Sequence, residues 1–105
     1  MPNIEIHGFV EKTKQVKDAV WAGFLHNERL KEFAEEVVVT TFPSVTDDMR
    51  GRRSPFIRVF FATKAEKKNC KDVLSRIPDI YAGICFDVEF VRSEDFCSFP
   101  PKKKK

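Results

Sequence analysis

The stretch Pro2-Asn3-Ile4-Glu5-Ile6-His7 has a counterpart later in the chain, Pro55-Phe56-Ile57-Arg58-Val59, in which proline again precedes apolar residues at the same alternate positions. Alternation of apolar and polar side chains predicts a half-buried β-strand. Proline is tolerated as the first residue of a strand because no hydrogen bond of the ladder is lost there. Both stretches therefore predict strands headed by proline, and their similarity predicts two repeat units, residues 2–50 and 55–97.

A helix and a second strand are expected after each of these strands. Thr13 is the predicted N-cap of a helix that runs to about Leu25, because apolar residues recur at the spacing of one buried helix face. The β-branched run 37–42 predicts a strand that Pro43 ends. The second unit predicts a helix over residues 64–77 and a strand over residues 84–90. The expected fold class is α+β with the order βαββαβ, in which right-handed crossovers place both helices on one face of a four-stranded sheet.

Composition indicates one domain, residues 1–97, followed by a Pro/Lys-rich flexible tail, residues 98–105. Of the 105 residues, 42% are hydrophobic and 33% are charged, which is typical of a globular protein. The net charge of +3 depends on Lys102–Lys105, since without these four lysines it is −1. No basic patch for nucleic acid is therefore expected. Neither a secretory signal nor a membrane span is expected, and the predicted location is cytoplasmic.

The cysteines and histidines do not suggest a metal site. The three cysteines, an odd number, show no C-x-x-C spacing, and the two histidines lie far apart. Neither a zinc site nor a disulfide framework is expected. His7 is expected to be a hydrogen-bonded structural residue, because the sequence supplies no nucleophile or orienting partner for it. No metal and no organic cofactor is implied.

The start Met1-Pro2-Asn3-Ile4-Glu5-Ile6-His7 resembles the tautomerase superfamily, which includes 4-oxalocrotonate tautomerase and macrophage migration inhibitory factor. Long members of this family are βαββαβ chains with a second proline at the head of the third strand, as at Pro55, and the stretch 74–79 is also similar to theirs. In that family the free amino-terminal proline moves a proton between carbon and oxygen of a keto-enol substrate. The resemblance implies that Pro2, once Met1 is removed, is the general base of a tautomerase for a small anionic 2-oxo acid.

The resemblance also implies cations that bind the substrate carboxylate. Lys12 is near the place of one family arginine, after the first strand, and keeps the charge without the bidentate fork. A second family arginine, at the start of the second strand, is missing here, where the chain reads Val37-Val38-Val39. The sequence does not choose which arginine takes over its role: Arg50, Arg52 or Arg53 in the central loop, or Arg58 on the third strand.

The sheet face opposite the helices is expected to be aromatic. An exposed surface of that kind needs a cover, and the resemblance implies that a homotrimer provides it. The residues expected on this face are Val38, Phe42, Phe56 and Phe60.

Two other functions stay open from the sequence, so activity as an enzyme is itself undecided. A tautomerase fold that has lost its chemistry would be an oligomeric binding module, which the missing strand-two arginine favours. An RNA-recognition module has the same βαββαβ order and stacks bases on its sheet. Against it, the first strand presents Glu5 and His7 where an aromatic residue is expected, and Glu5 would repel phosphates.

Overall fold

The computed structural model describes residues 2–44, 55–77 and 85–93. These residues form four strands, two α-helices and two short 3-10 helices in the predicted order. The strands are β1 (Asn3–His7), β2 (Val38–Phe42), β3 (Phe56–Phe61) and β4 (Asp87–Arg92). The helices are α1 (Thr13–Leu25) and α2 (Lys64–Leu74), and the 3-10 helices cover Val10–Lys12 and Phe33–Glu36. Neither α-helix in these ranges has the length and apolar character needed to cross a membrane.

The four strands form one mixed sheet in the order β2-β1-β3-β4. β1 is parallel to β2, β3 is parallel to β4, and the two halves meet through the antiparallel pairing of β1 with β3. The same hydrogen bond occurs at the start of each half. The Pro2 carbonyl accepts from the N–H of Val38 (3.1 Å), and the Pro55 carbonyl accepts from the N–H of Asp87 (3.3 Å). The predicted α+β fold with the order βαββαβ is confirmed.

One side of the central strands is buried under the helices. Because side chains alternate along a strand, Ile4 and Ile6 of β1 share this side with Ile57 and Val59 of β3, and all four are fully buried. The helices complete the core with Val16, Ala19, Val20, Phe24, Cys70, Val73 and Leu74. Burial, together with the charge of Glu66, raises the pKa of the Cys70 thiol to about 12, so this thiol stays protonated near neutral pH.

One boundary of each helix differs from the sequence prediction, the start of α1 and the end of α2. Thr13 is not an N-cap but the first residue of α1, because the 3-10 helix before it runs directly into α1 and the Thr13 hydroxyl donates to the carbonyl of Val10 (2.6 Å). α2 ends at Leu74 instead of residue 77. Its last turn tightens to three-residue hydrogen bonds, such as that from the N–H of Arg76 to the carbonyl of Val73 (3.2 Å), which is common at helix ends.

The last strand also begins later than predicted. β4 starts at Asp87 instead of residue 84, because its partner β3 starts at Phe56, the residue opposite Asp87. A strand is defined by its pairing, so β4 begins where β3 offers a partner. The shift carries the strand on to Arg92, two residues beyond the predicted end.

The two helices approach each other closely at Gly23 of α1. A β-carbon built at Gly23 would lie 2.6 Å from Cγ1 of Val73 on α2. Val73 is buried, and a β-branched side chain in a helix has one strongly preferred rotamer, so it has little room to move. The close contact between the helices therefore requires glycine at this position.

We expect Gly23→Ala to lower the free energy of unfolding by about 1–3 kcal/mol, the usual cost of overpacking a core. This cost outweighs the gain of about 0.5–1 kcal/mol from replacing glycine inside a helix. Urea denaturation followed by circular dichroism measures the change. Val73→Ala is the matched background, because it removes the atoms that the new β-carbon meets. In that background Gly23→Ala should be neutral or stabilising, and an equal loss in both backgrounds would contradict the contact.

Candidate functional site

Pro2 lies at the head of β1 and is held there by the sheet. Its side chain is less than 2% exposed, and its carbonyl accepts the hydrogen bond from Val38 of β2. The next residue, Asn3, is exposed and points away from the helices, whereas Ile4 points toward them. Alternation along the strand therefore places the Pro2 ring on the helix side of the sheet.

A row of residues that lie side by side on adjacent strands begins at Pro2 and ends in a cation. Asn3 is opposite Phe60 of β3, so the register places Phe61 one step further along, beside Pro2. Phe61 is in turn opposite Arg92 of β4. Adjacent strands lie about 4.8 Å apart, so about 10 Å separates the backbones of Pro2 and Arg92. An arginine side chain and a substrate of a few carbon atoms can together bridge that distance.

A second cation lies at the same end of the sheet. The Nζ atom of Lys67, in the first half of α2, is 5.5 Å from the ring centroid of Phe61 and 5.4 Å from that of Phe90. Both distances are within the range of cation–π attraction. Sequence reasoning missed Arg92 and Lys67. The signal for Arg92 was the register of β4, which depends on where that strand begins.

Lys12 lies at the opposite end of β1 from Pro2. It is the last residue of the 3-10 helix that follows the strand, and it is exposed. Five strand steps of about 3.3 Å, or about 16 Å in all, already separate Pro2 from His7 at the end of β1. The structure therefore does not bring Pro2 and Lys12 together within one chain.

Arg58 lies on the sheet face away from the helices, here called the open face. Its guanidinium stands between two carboxylates: Nη1 is 3.7 Å from Oε1 of Glu5 on β1, and Nη2 donates to Oε2 of Glu89 on β4 at 3.4 Å. Glu89 is only 7% exposed. Arg58 thus compensates two acidic side chains, on the face opposite the Pro2 ring. The three loop arginines, Arg50, Arg52 and Arg53, lie outside the described residues.

His7 is stacked between two phenylalanine rings on the open face. Its ring centroid is 4.5 Å from that of Phe42 on β2 and 4.5 Å from that of Phe56 on β3, with interplanar angles of 9° and 8°. Its Nε2 donates to Oε1 of Glu5 at 3.0 Å, since a carboxylate can only accept. The hydrogen bond expected of a structural histidine is present. In the ranges 2–44, 55–77 and 85–93, no three His, Cys, Asp or Glu side chains gather into a group that could hold a metal ion.

Comparison with solved structures identifies the fold. Two fused 4-oxalocrotonate tautomerases match 91% of this chain with TM-scores of 0.53 and 0.51, and each match covers 91% of the tautomerase chain. The chain has the tautomerase fold. The sequence identities are 17% and 18%, and both of those proteins are described as wild-type asymmetric trimers. No family model matches the sequence, and no curated protein matches it.

Within this tautomerase fold the two sheet faces have different characters. The helix side holds the Pro2 ring at one end of the apolar core, and Arg92 is close by in the same row. The open face carries the ionic cluster of Glu5, Arg58 and Glu89 among aromatic rings. The cations at the Pro2 end of the sheet, Arg92 and Lys67, therefore lie on the helix side, whereas the ionic cluster lies on the open face.

We expect Arg58→Met to lower the free energy of unfolding by about 3 kcal/mol at neutral pH, since removal of one partner from a buried ion pair leaves an uncompensated charge. Urea denaturation followed by circular dichroism measures the difference in unfolding free energy between the variant and the parent protein.

The matched control is the double variant Arg58→Met, Glu89→Met. Apolar replacement of both partners of a buried pair is often nearly neutral, so the double variant should recover most of the loss. A loss that is not recovered in the double variant would show that Arg58 acts through packing alone.

Proposed function

We propose that this chain is a keto-enol isomerase in which the free amine of Pro2 moves a proton on a small anionic 2-oxo acid. The observation that carries the proposal is the position of Pro2: second in the sequence, buried, and at the head of the central strand β1 in a tautomerase fold. Removal of Met1 would convert the ring nitrogen from an amide into a secondary amine. The same step would remove the atoms that precede this nitrogen and open access to it.

The surroundings of Pro2 suit a base that works near neutral pH. Apolar burial disfavours the positive charge of a protonated amine, and nearby cations disfavour it further, so both lower an amine pKa. Arg92 and Lys67 supply such cations at this end of the sheet. Catalysis by a positioned base is most efficient when its pKa lies near the working pH.

The proton transfer would need only the amine and a bound substrate. In ketonisation the Pro2 nitrogen accepts the proton of the enol hydroxyl, the C=O bond forms as the C=C bond is lost, and the carbon receives a proton from the ammonium. No net proton is consumed, and no metal or organic cofactor takes part. A cation beside the substrate carboxylate holds the carbon over the nitrogen.

The substrate-binding cations of the proposal are Arg92, within the same chain, together with the residues that the sequence suggests. Lys12 lies too far from Pro2 in its own chain, so it would serve the Pro2 of a neighbouring copy. Arg58 would have to leave its carboxylate partners to bind substrate. Arg50, Arg52 and Arg53 remain candidates on sequence grounds.

We expect Pro2→Ala to lower kcat/KM for ketonisation of enol-phenylpyruvate by about 10²–10⁴, the usual contribution of a positioned base. Loss of ultraviolet absorbance of the enol at neutral pH measures the rate, on protein shown by intact mass to lack Met1.

Arg92→Gln should instead raise KM with a smaller effect on kcat, since it removes a binding charge. Lys14→Gln, on an exposed position of α1, is the matched control for loss of one positive charge.

Full activity in Pro2→Ala would rule out the amino-terminal base. Absence of activity in correctly processed protein would favour the second candidate, a binding module on a tautomerase fold. The observation that favours this alternative is the separation of Pro2 from Lys12 and Arg58. RNA recognition is less well supported, because Glu5 and Glu89 lie on the open face where bases would stack and would repel phosphates.

We also propose that three copies assemble through the open face. The fused tautomerases of the same fold are described as trimers, and the open face here has apolar side chains at both ends of its ionic cluster. Val38 and Phe42 of β2 are 42% and 41% exposed in the single chain. Association would remove this apolar surface from water, which is the main driving force for oligomer formation.

We expect Phe42→Asp to shift the protein towards monomer, because burial of a new carboxylate in an apolar contact is costly. Sedimentation velocity over a range of concentrations measures the shift. Leu25→Asp is the matched control, since Leu25 is 48% exposed but lies at the end of α1, away from the open face. If both variants assemble to the same extent as the parent protein, the result would contradict an interface on the open face.

A further inference from the structure

Val10 adopts a backbone conformation that its own side chain disfavours. It lies in the short connection between β1 and α1, and its φ angle is 53°. In this left-handed region the β-carbon approaches the following carbonyl oxygen, so a β-branched residue is rare there. Among the residues that the structure describes, Val10 is the only one other than glycine with a positive φ. An outlier of this kind is a reason to look for a function.

Hydrogen bonds on both sides of Val10 hold this conformation. Its N–H donates to the carbonyl of Pro43 at 2.9 Å, and its carbonyl accepts from the hydroxyl of Thr13 at 2.6 Å. The N–H of Gly8 donates to the carbonyl of Phe42 at 2.9 Å, so the connection is bound to the end of β2. The fold therefore imposes the left-handed conformation at this position, where glycine or asparagine would adopt it more readily.

The Val10 side chain gains little from contacts within its own chain. It is 52% exposed, so burial does not compensate the unfavourable backbone. Phe42 is 41% exposed, and Pro43 is exposed as well. We call these three residues the Val10 corner, and they lie where β1 and β2 end. A strained and exposed apolar corner suits a contact with another surface.

A second exposed apolar residue lies at the other end of β2. Val38 is 42% exposed, and its N–H donates to the Pro2 carbonyl at 3.1 Å, which places it at the Pro2 end of the sheet. Five strand steps, about 16 Å in all, separate Val38 from Pro43, so the two surfaces cannot meet within one chain. Different patches at opposite ends of a molecule form head-to-tail contacts, which close into a ring when the rotation between copies allows it.

The edge of the sheet between these two surfaces is uncharged. β2 is an edge strand, and residues 38–42 carry no charge. Charged side chains on an edge strand are one way in which proteins prevent contact with other chains. The other edge strand, β4, has Asp87, Glu89 and Arg92. The contrast favours the β2 side of the sheet as the side that contacts another copy.

We propose that the Val10 corner of one copy packs against Val38 of the next copy. This contact rests on the assembly and the isomerase activity proposed above, and it gives the assembly a direction: each copy presents one end of β2 to the opposite end of its neighbour. Lys12 lies two residues after Val10 in the same connection, so the contact brings it to the Pro2 end of the next copy. Val10 is then a positioning residue for Lys12, and two chains build each site.

Interchain disulfide formation in the full chain tests the contact. Cys85 and Cys97 are first replaced by serine, and the buried thiol of Cys70 is retained. Cysteines are then introduced by Val10→Cys together with Val38→Cys. The α-carbons of a disulfide lie within about 7 Å, whereas about 16 Å separates the two ends of β2. Linkage between these two positions must therefore join two chains.

Val10→Cys with Leu25→Cys is the matched control, since Leu25 is similarly exposed, at 48%, but lies at the end of α1. We expect the Val10–Val38 pair to link at least about tenfold faster than the control pair, and a closed ring to give covalent trimer on non-reducing gels. Equal rates would overturn the proposal. Dimers formed by Val10→Cys alone would also overturn it, because they indicate a symmetric contact. A parent protein that stays monomeric at every concentration would overturn the proposed assembly, and this contact with it.

The substitution Val10→Asn should have opposite effects on the single chain and on the assembly. Asparagine tolerates the left-handed region but cannot replace an apolar contact. In the Phe42→Asp background, expected to be monomeric, it should raise the urea midpoint because it relieves the backbone. In the parent background it should raise the concentration of half-assembly by at least about tenfold, as loss of one buried valine predicts. Leu25→Asn is the control and should leave assembly unchanged. An unchanged midpoint or unchanged assembly with Val10→Asn would overturn the proposal.

Mixed assemblies test whether two chains build one site. Pro2→Ala and Lys12→Gln copies are refolded together in equal amounts, each alone being less active by about tenfold or more at low substrate concentration. In a head-to-tail ring about one site in four then joins an intact Pro2 to an intact Lys12 of the next copy, so activity should return to about one quarter of the parent value. Adding Val10→Asn to the Pro2→Ala copy should abolish the recovery.

The outcomes separate this contact from the proposed chemistry. An active parent protein whose mixed variants show no recovery would overturn the role of Val10 in bringing Lys12 to a second copy. An inactive parent protein would overturn the proposed isomerase function, while the disulfide linkage would still decide the contact between Val10 and Val38.

Discussion

The antiparallel pairing of β1 with β3 determines which residues of the two central strands face the helices and which face the open side of the sheet. Its register places Ile4 opposite Val59 in the core and Glu5 opposite Arg58 on the open face. A slip by one residue would exchange the two faces of a strand. Arg58 would then enter the apolar core without its carboxylates, at a high cost in free energy. The alternation of charged and apolar residues in two adjacent strands therefore selects one register, and that register sets Pro2 beside Phe61.

The open face combines two kinds of contact with different consequences for assembly. Its aromatic and aliphatic residues supply apolar area, which favours association with little directional preference. The cluster of Glu5, Arg58 and Glu89 contributes little net stability, because desolvation offsets much of the attraction between buried charges. Such a cluster does constrain which surfaces can meet, since an opposing copy must leave each charge compensated. In the proposed assembly, apolar area would supply affinity and the ionic cluster would select the orientation.

Most of the fold could be predicted from the sequence, because it rests on alternation in strands and on the spacing of apolar residues in helices. The order of elements and the alternation of apolar residues in β1 and β3 followed from these periods. The end of α2 and the start of β4 did not, because they depend on hydrogen bonds and on a partner strand. Because β4 begins three residues later than predicted, the sequence analysis did not find that Arg92 lies in the same row as Pro2. The partners of Arg58 were also beyond prediction, since Glu89 lies on a different strand whose register only the fold supplies.

Pro2 and Pro55 are equivalent in the backbone but not in chemistry. Each accepts a hydrogen bond from the first residue of the parallel strand in its own half. The nitrogen of Pro55, however, is an amide within the chain, and resonance with the preceding carbonyl removes its basicity. A chain of two joined βαβ units therefore has at most one ionisable proline nitrogen. A ring of three such chains contains six units but only three such nitrogens. The joined architecture halves the number of equivalent sites and breaks the symmetry between them, so the second unit can diverge without any change to the first.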